Sequence, residues 1–151
     1  MSLLIKIARE REEGQALIEF ALFFSLFALI FAGIVDFSIF IRQDLELTWA
    51  AEAGAAYGTV PGHSTDTAGI TFAASQAAPD ISGMSISVSD VYACSPGGSS
   101  VGGTSTCTDG YPPMKFVQVQ TGATVSSVFT WAGLTKNITM QGFASDEVPW
   151  S

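Results

Sequence analysis

From Gln15 to Ile41 nearly every position of the chain is apolar, and Asp36 is the only ionisable residue between Phe20 and Arg42. A helix of about 20 such residues spans the hydrocarbon core of a bilayer. A cleaved secretory signal calls for a shorter stretch, roughly 7 to 15 residues, closed by a small-x-small site. Ala51-Glu52-Ala53 has that form but lies too far downstream. No proline interrupts residues 41–56, Gly54 is isolated, and Leu45, Trp49, Ala53 and Ala56 recur at helical spacing. The pattern predicts a helix from near Glu13 to the turn at residues 58–62, reaching roughly 65 Å at 1.5 Å per residue. Two helices with a kink at Arg42 or Gly54 are the alternative.

After Pro61-Gly62 the pattern changes. Thr65 or Asp66 can cap a second helix whose apolar face holds Ile70, Ala73, Ala74 and Ala77, and Pro79 follows its end. Met84, Ile86 and Val88 then alternate with Ser85, Ser87 and Ser89, the period of a half-buried strand; Asp90 interrupts it and suggests a bulge or a shift of face. In a second strand Val117, Val119, Ala123 and Val125 share one face, with Gln118, Gln120 and Thr124 on the other. A third, near residues 137–145, carries Ile138, Met140 and Ala144 on one side, and Val128, Phe129, Trp131 and Leu134 form an apolar connection before it. The expected fold class is α+β: a long N-terminal transmembrane helix continuing into a small head of a second helix and a three-stranded antiparallel sheet.

The formal charge is -8, and residues 1–14 hold three bases and three acids, so the remainder keeps the same charge on only three bases. No basic cluster exists to neutralise phosphates, which argues against a nucleic-acid partner. Lys6, Arg9 and Arg11 precede the apolar run and only Arg42 closely follows it, a bias that puts the amino end in the cytoplasm. Cys94 and Cys107 flank a stretch of Ser, Gly, Thr, Val and Pro with no hydrophobic pattern. A disulfide there would staple the loop and require an oxidising compartment; two free thiols are the alternative. A metal site needs further ligands, and the single histidine, His63, is far away in a Pro-Gly turn. Asp66, Asp80, Asp90 and Asp109 fall in or beside loops, and no nucleophile elbow or phosphate cradle occurs, so neither an enzyme nor a cofactor is expected.

One motif points to a function. Gly14 follows a charged leader, and Glu19 stands five places beyond it within an apolar helix. This arrangement resembles a prepilin processing site, and glycine suits such a junction because it leaves the peptide bond sterically open and weakens the helix around it. Cleavage after Gly14 would expose a new amine on Gln15. A carboxylate at the centre of a membrane helix costs about 2.5 to 3.5 kcal/mol on insertion scales, so Glu19 seeks a cation. The amine of a neighbouring helix would supply one and set axial register between subunits. Snorkelling of Glu19 to the headgroups is the plainer alternative. Phe20, Phe23, Phe24, Phe27 and Phe31 offer a packing surface, and Asp36 is a candidate for helix packing or an interfacial, solvated acid.

Gly14-Gln15-Ala16-Leu17-Ile18-Glu19-Phe20-Ala21-Leu22, followed by Gly33-Ile34-Val35-Asp36-Phe37, resembles the N-terminal signature of TadE-like proteins, minor pilins or pseudopilins of the tight-adherence (Tad) pilus and secretion system. Ala50-Ala51-Glu52-Ala53-Gly54-Ala55-Ala56-Tyr57 is similar to the family's alanine-rich continuation. The sequence departs from the family at Glu12 and Glu13, where bases often flank the glycine, and at Ser38, where a base often follows the Asp-Phe pair. The resemblance implies a prepilin-type leader over residues 1–14, removed by a prepilin peptidase after Gly14. It also implies a transmembrane helix over residues 15–41 and an extracytoplasmic, pilin-like domain over residues 42–151. Glu19 and Phe20 would serve assembly, and the partners would be membrane lipid, other minor pilins, the major Flp-type pilin and an inner-membrane assembly platform. A major filament subunit and a membrane-tethered surface-binding module, presenting the Cys94 to Cys107 loop, are the competing expectations.

Overall fold

Helix-compatible residues run from the amino end to Gly58 because the first proline is Pro61, and in the computed structural model they form one helix, α1 (Ser2–Gly58). The structure describes residues 2–129 and 137–149, with side chains from residue 15 onward. Two compact units divide the chain, Met1–Ile39 and Phe40–Ser151. In the first, the side chains of residues 15–31 are exposed, including Leu17, Phe23 and Phe27. Gln15–Gly58 contains an 18-residue window of mean hydropathy 2.4, none of it buried, and is long and apolar enough to cross a membrane.

The second unit begins with the small-residue part of α1. Leu47, Ala50, Ala51 and Ala55 are fully buried, and Ala51 and Ala55 form a core cluster with Ile70, Val117, Val119 and Ala144 between helix and sheet. Gly54 and Gly58 let the helix come close: a Cβ on Gly58 would meet Val117 Cγ1 at 2.9 Å, and one on Gly54 would meet Ala74 Cβ at 3.2 Å. The second helix, α2 (Thr67–Ala77), starts where Asp66 Oδ1 accepts a hydrogen bond from the Gly69 amide at 2.9 Å. It buries Ile70 and Ala74, and Ile70 alone, fully buried, contributes roughly 1.5 to 3 kcal/mol by removal from water.

The sheet contains β1 (Ser85–Ala93), β2 (Ser100–Val101), β3 (Met114–Ser126) and β4 (Asn137–Glu147), in the order β2-β1-β3-β4 and antiparallel throughout. Two expectations need correction. The sheet has four strands, not three: the added β2 pairs Val101 with Tyr92 inside the loop between the cysteines. Its two residues are too few to produce an alternation. Nor does Asp90 bulge β1, whose register with β3 is unbroken from Ser85↔Gly122 to Ala93↔Met114. Asp90 stays on the face of Ile86 and Val88 and is held there by Lys115, whose Nζ lies 2.8 Å from its carboxylate and also donates to Ser64 Oγ at 3.1 Å.

The face of β3 pointing at α1 carries Val117, Val119, Thr121, Ala123 and Val125, all buried. β4 offers Met140, Gly142 and Ala144 beside them. Thr121 and Gly142 are register partners, and both meet the same backbone group: Thr121 Oγ1 donates to the Leu47 carbonyl at 2.8 Å, and a Cβ on Gly142 would collide with that carbonyl. The approach of helix to sheet at this point therefore rests on a hydroxyl beside a missing side chain. In the expected apolar connection Val128 and Phe129 are exposed, while Trp131 and Leu134 lie outside the described residues.

Candidate functional site

The polar groups of the apolar part of α1 are disposed of in different ways. Ser25 Oγ donates to the Leu22 carbonyl at 2.8 Å and Ser38 Oγ to the Ile34 carbonyl at 2.7 Å, so both hydroxyls are satisfied by the helix itself. Glu19 is exposed, and its carboxylate accepts a 3.4 Å hydrogen bond from Gln15 Nε2, one turn back. That bond is long and neutral in origin, too weak to meet a carboxylate's demand in an apolar medium. Around the acid, Ala16, Phe20, Phe23, Phe24 and Phe27 line an open groove of about 580 Å³, with the rings of Phe20 and Phe24 stacked at 6.0 Å. The helical periodicity thus gathers Gln15, Glu19 and Phe20 into one exposed patch. Gly14 and residues 1–13 lie outside the residues whose side chains are described.

Asp36 is set apart from them. It is only 5% exposed and is not without a partner, unlike the solvated interfacial acid that was one expectation for it.

Cys94 and Cys107 are joined by a disulfide, with Cα atoms 5.7 Å apart. The loop they close is built from turns: Ser105 N donates to the Gly102 carbonyl and Gly98 N to the Ser95 carbonyl, each at 2.9 Å. Gly103 lies against the Tyr92 ring, where a Cβ would come within 3.1 Å of it. Beside the disulfide, Asp109, Tyr111, Pro112 and Met114 complete a cavity of about 360 Å³.

The scattered acids have local roles. Asp66 caps α2 and also accepts from the Tyr57 hydroxyl at 3.1 Å; the Gly69 amide first, then that hydroxyl, hold its carboxyl below the usual range. Burial, then the bond to Asp66, pushes the Tyr57 phenol up. Asp80 pairs with Arg42 at 3.0 Å, Asp90 pairs with Lys115, and Asp109 accepts from the Tyr111 amide. Among the described residues, no group of three or more His, Cys, Asp or Glu is placed to hold a metal ion. The Arg42, Tyr57 and Thr121 contacts were not foreseen, because each joins residues whose proximity depends on the tertiary fold.

No curated protein and no solved structure matches the chain. The family model described as TadE-like protein matches residues 14–56, a segment that begins at Gly14 and includes Gln15, Glu19, Phe20, Asp36 and the buried Ala50 to Ala55 face. Residues 14–56 therefore form a TadE-like segment, the part of this chain that ties it to the TadE-like family and so to the Tad pilus system.

Proposed function

We propose that the chain is a minor pilin or pseudopilin: cleaved by a prepilin peptidase after Gly14, retained in the membrane by residues 15–41 with its head extracytoplasmic, and packed laterally against other pilins at an inner-membrane assembly platform. The observation that carries this reading is Glu19, an exposed carboxylate with one weak bond to Gln15, set in an aromatic groove on an apolar helix. In the processed chain the Gln15 amine of a neighbouring subunit meets that carboxylate, which removes an unpaired charge from the bilayer and fixes the stagger of the two helices. No catalytic role is assigned to the protein.

Amino-terminal sequencing and intact mass, with and without the peptidase, test processing. The expected mature chain begins at Gln15, and a full-length chain in both strains would end this reading of the leader. Glu19→Ala should abolish association with partner pilins while leaving the head folded; unchanged association would remove the assembly role of the acid. A second reading, a tethered surface-binding module, is favoured by Tyr111, 71% exposed beside the disulfide cavity. Deleting residues 95–106 separates the two: lost adhesion with normal assembly supports the module, and lost assembly supports the pilin.

A further inference from the structure

Beyond the apolar run, α1 turns one face to the sheet and leaves the opposite face uncovered. Ile41, Leu45 and Trp49 follow one another at one-turn intervals on the uncovered face and are 46%, 45% and 55% exposed, whereas Leu47, Ala50 and Ala51 on the other side are fully buried. Glu52, exposed, continues this face one turn past Trp49, and exposed Asp44 borders it beside Leu45. Neither acid has an ion-pair partner among the described residues. The bases, by contrast, are already engaged: Arg42 with Glu46 at 2.7 Å and Asp80 at 3.0 Å, Lys115 with Asp90 at 2.8 Å. Past Gly14 the sequence holds only one more, Lys136, outside the described residues.

We propose that the face formed by Ile41, Leu45, Trp49 and Glu52 docks a helix of a different chain, one whose apolar stripe is flanked by Lys or Arg. A second copy laid on the same face would bring Asp44 and Glu52 against their own counterparts, with no spare base among the described residues to offset them; like charges across an interface discriminate against that pairing. A basic-flanked helix meets both acids with opposite charge and covers the apolar ridge, with Trp49 as its anchor, a residue type enriched among dominant interface contacts. The inference rests on the reading of α1 as an assembly element and adds the chemistry of the partner.

The test uses the full chain in phosphatidylcholine nanodiscs and two labelled synthetic helices with the same leucine stripe, one flanked by lysines and one by glutamates, titrated by fluorescence anisotropy. The lysine-flanked helix should bind at least about tenfold more tightly, an advantage that shrinks in high salt. Trp49→Ala should weaken it by about tenfold, and the double variant Asp44→Lys with Glu52→Lys should reverse the preference. All three side chains are exposed, so thermal unfolding of the head should be unchanged and serves as the folding control. Equal binding of the two helices, or affinities indifferent to both variants, overturns the proposal. So does a disulfide-linked homodimer from a Leu45→Cys variant oxidised in native membranes, which would give the face to a second copy. Glu19→Ala should leave this peptide binding intact, so failure of the membrane-helix reading and failure of the docking face give different results.

Discussion

Two stretches of α1, residues 17–31 and residues 47–58, are both largely apolar, and they use that property in opposite ways. Residues 17–31 carry large side chains, Phe23 being 78% exposed, and within the chain they are covered by little. Residues 47–58 carry mostly small ones, and Leu47, Ala50, Ala51 and Ala55 are fully buried. Large exposed groups offer area to lipid and to other helices, whereas alanine and glycine let a backbone approach its own sheet closely enough for a carbonyl to be shared. Apolarity alone does not distinguish a segment left exposed from one that forms a core; side-chain size along the helix does.

The strongest way to break this contrast is to put a side chain where the second region requires none. Gly142→Val places a Cβ against the Leu47 carbonyl and beside Thr121 Oγ1, backbone and buried hydroxyl that have little room to move. The expected loss is about 3 kcal/mol or more of head stability, read by thermal or denaturant unfolding in nanodiscs. Phe24→Ala, in the first region, should leave the same transition within about 0.5 kcal/mol, as for an exposed substitution. Equal effects of the two would mean that the two stretches of the helix are not differently employed.

Next in size is the disulfide. Cys94 and Cys107 are 13 residues apart, and a loop of that length restricts the unfolded chain by about 3 kcal/mol at most, with measured values often lower. The variant with both cysteines changed to serine should lose about 2 kcal/mol and release the Tyr92–Val101 pairing, detectable as faster amide exchange at Val101. Exchange at Val119, in the core, should follow only the global loss.

These two sites also mark what was legible in the sequence. The apolar run, the α2 cap at Asp66 and the alternating faces of β3 were readable because each is a local pattern with a period or a cap chemistry of its own. Gln15, Glu19 and Phe20 share a patch for the same reason, since helical spacing alone brings them together. β2 has a single apolar residue, Val101, and gains its place from the ladder with Tyr92 and Ala93. Asp90 read as an interruption because its partner, Lys115, lies 25 positions on and is reached only through the β1 to β3 register. Thr121 broke the apolar alternation of β3 for a comparable reason: the acceptor of its hydroxyl is a helix carbonyl 74 positions earlier.

Thr121 gives a smaller and sharper test. Thr121→Val keeps the shape and removes the hydroxyl that donates to the Leu47 carbonyl, so head stability should fall by about 1 kcal/mol, the net worth of a buried hydrogen bond. A neutral or stabilising result would show that the helix is held against β3 by packing alone.

The smallest effect is the pH dependence of the joint between the helices. The Gly69 amide, then the Tyr57 hydroxyl, lower the Asp66 pKa from its ordinary 3.8, and burial, then the bond to Asp66, raises that of Tyr57 from 10.0. A carboxyl with a lowered folded pKa stabilises the fold above its unfolded value, and that contribution is lost as the pH falls through the folded pKa, below 3.8. A phenol with a raised folded pKa stabilises the fold below its unfolded value, and the contribution is lost as the pH rises through the folded pKa, above 10.0. Between those limits both contributions are present, and this joint adds no slope to stability against pH. Asp66→Asn retains an N-cap oxygen for Gly69 but not the titrating carboxyl, so it should remove the acid-side slope due to Asp66 while α2 stays helical. An unchanged acid slope in that variant would assign it to other carboxylates of the head.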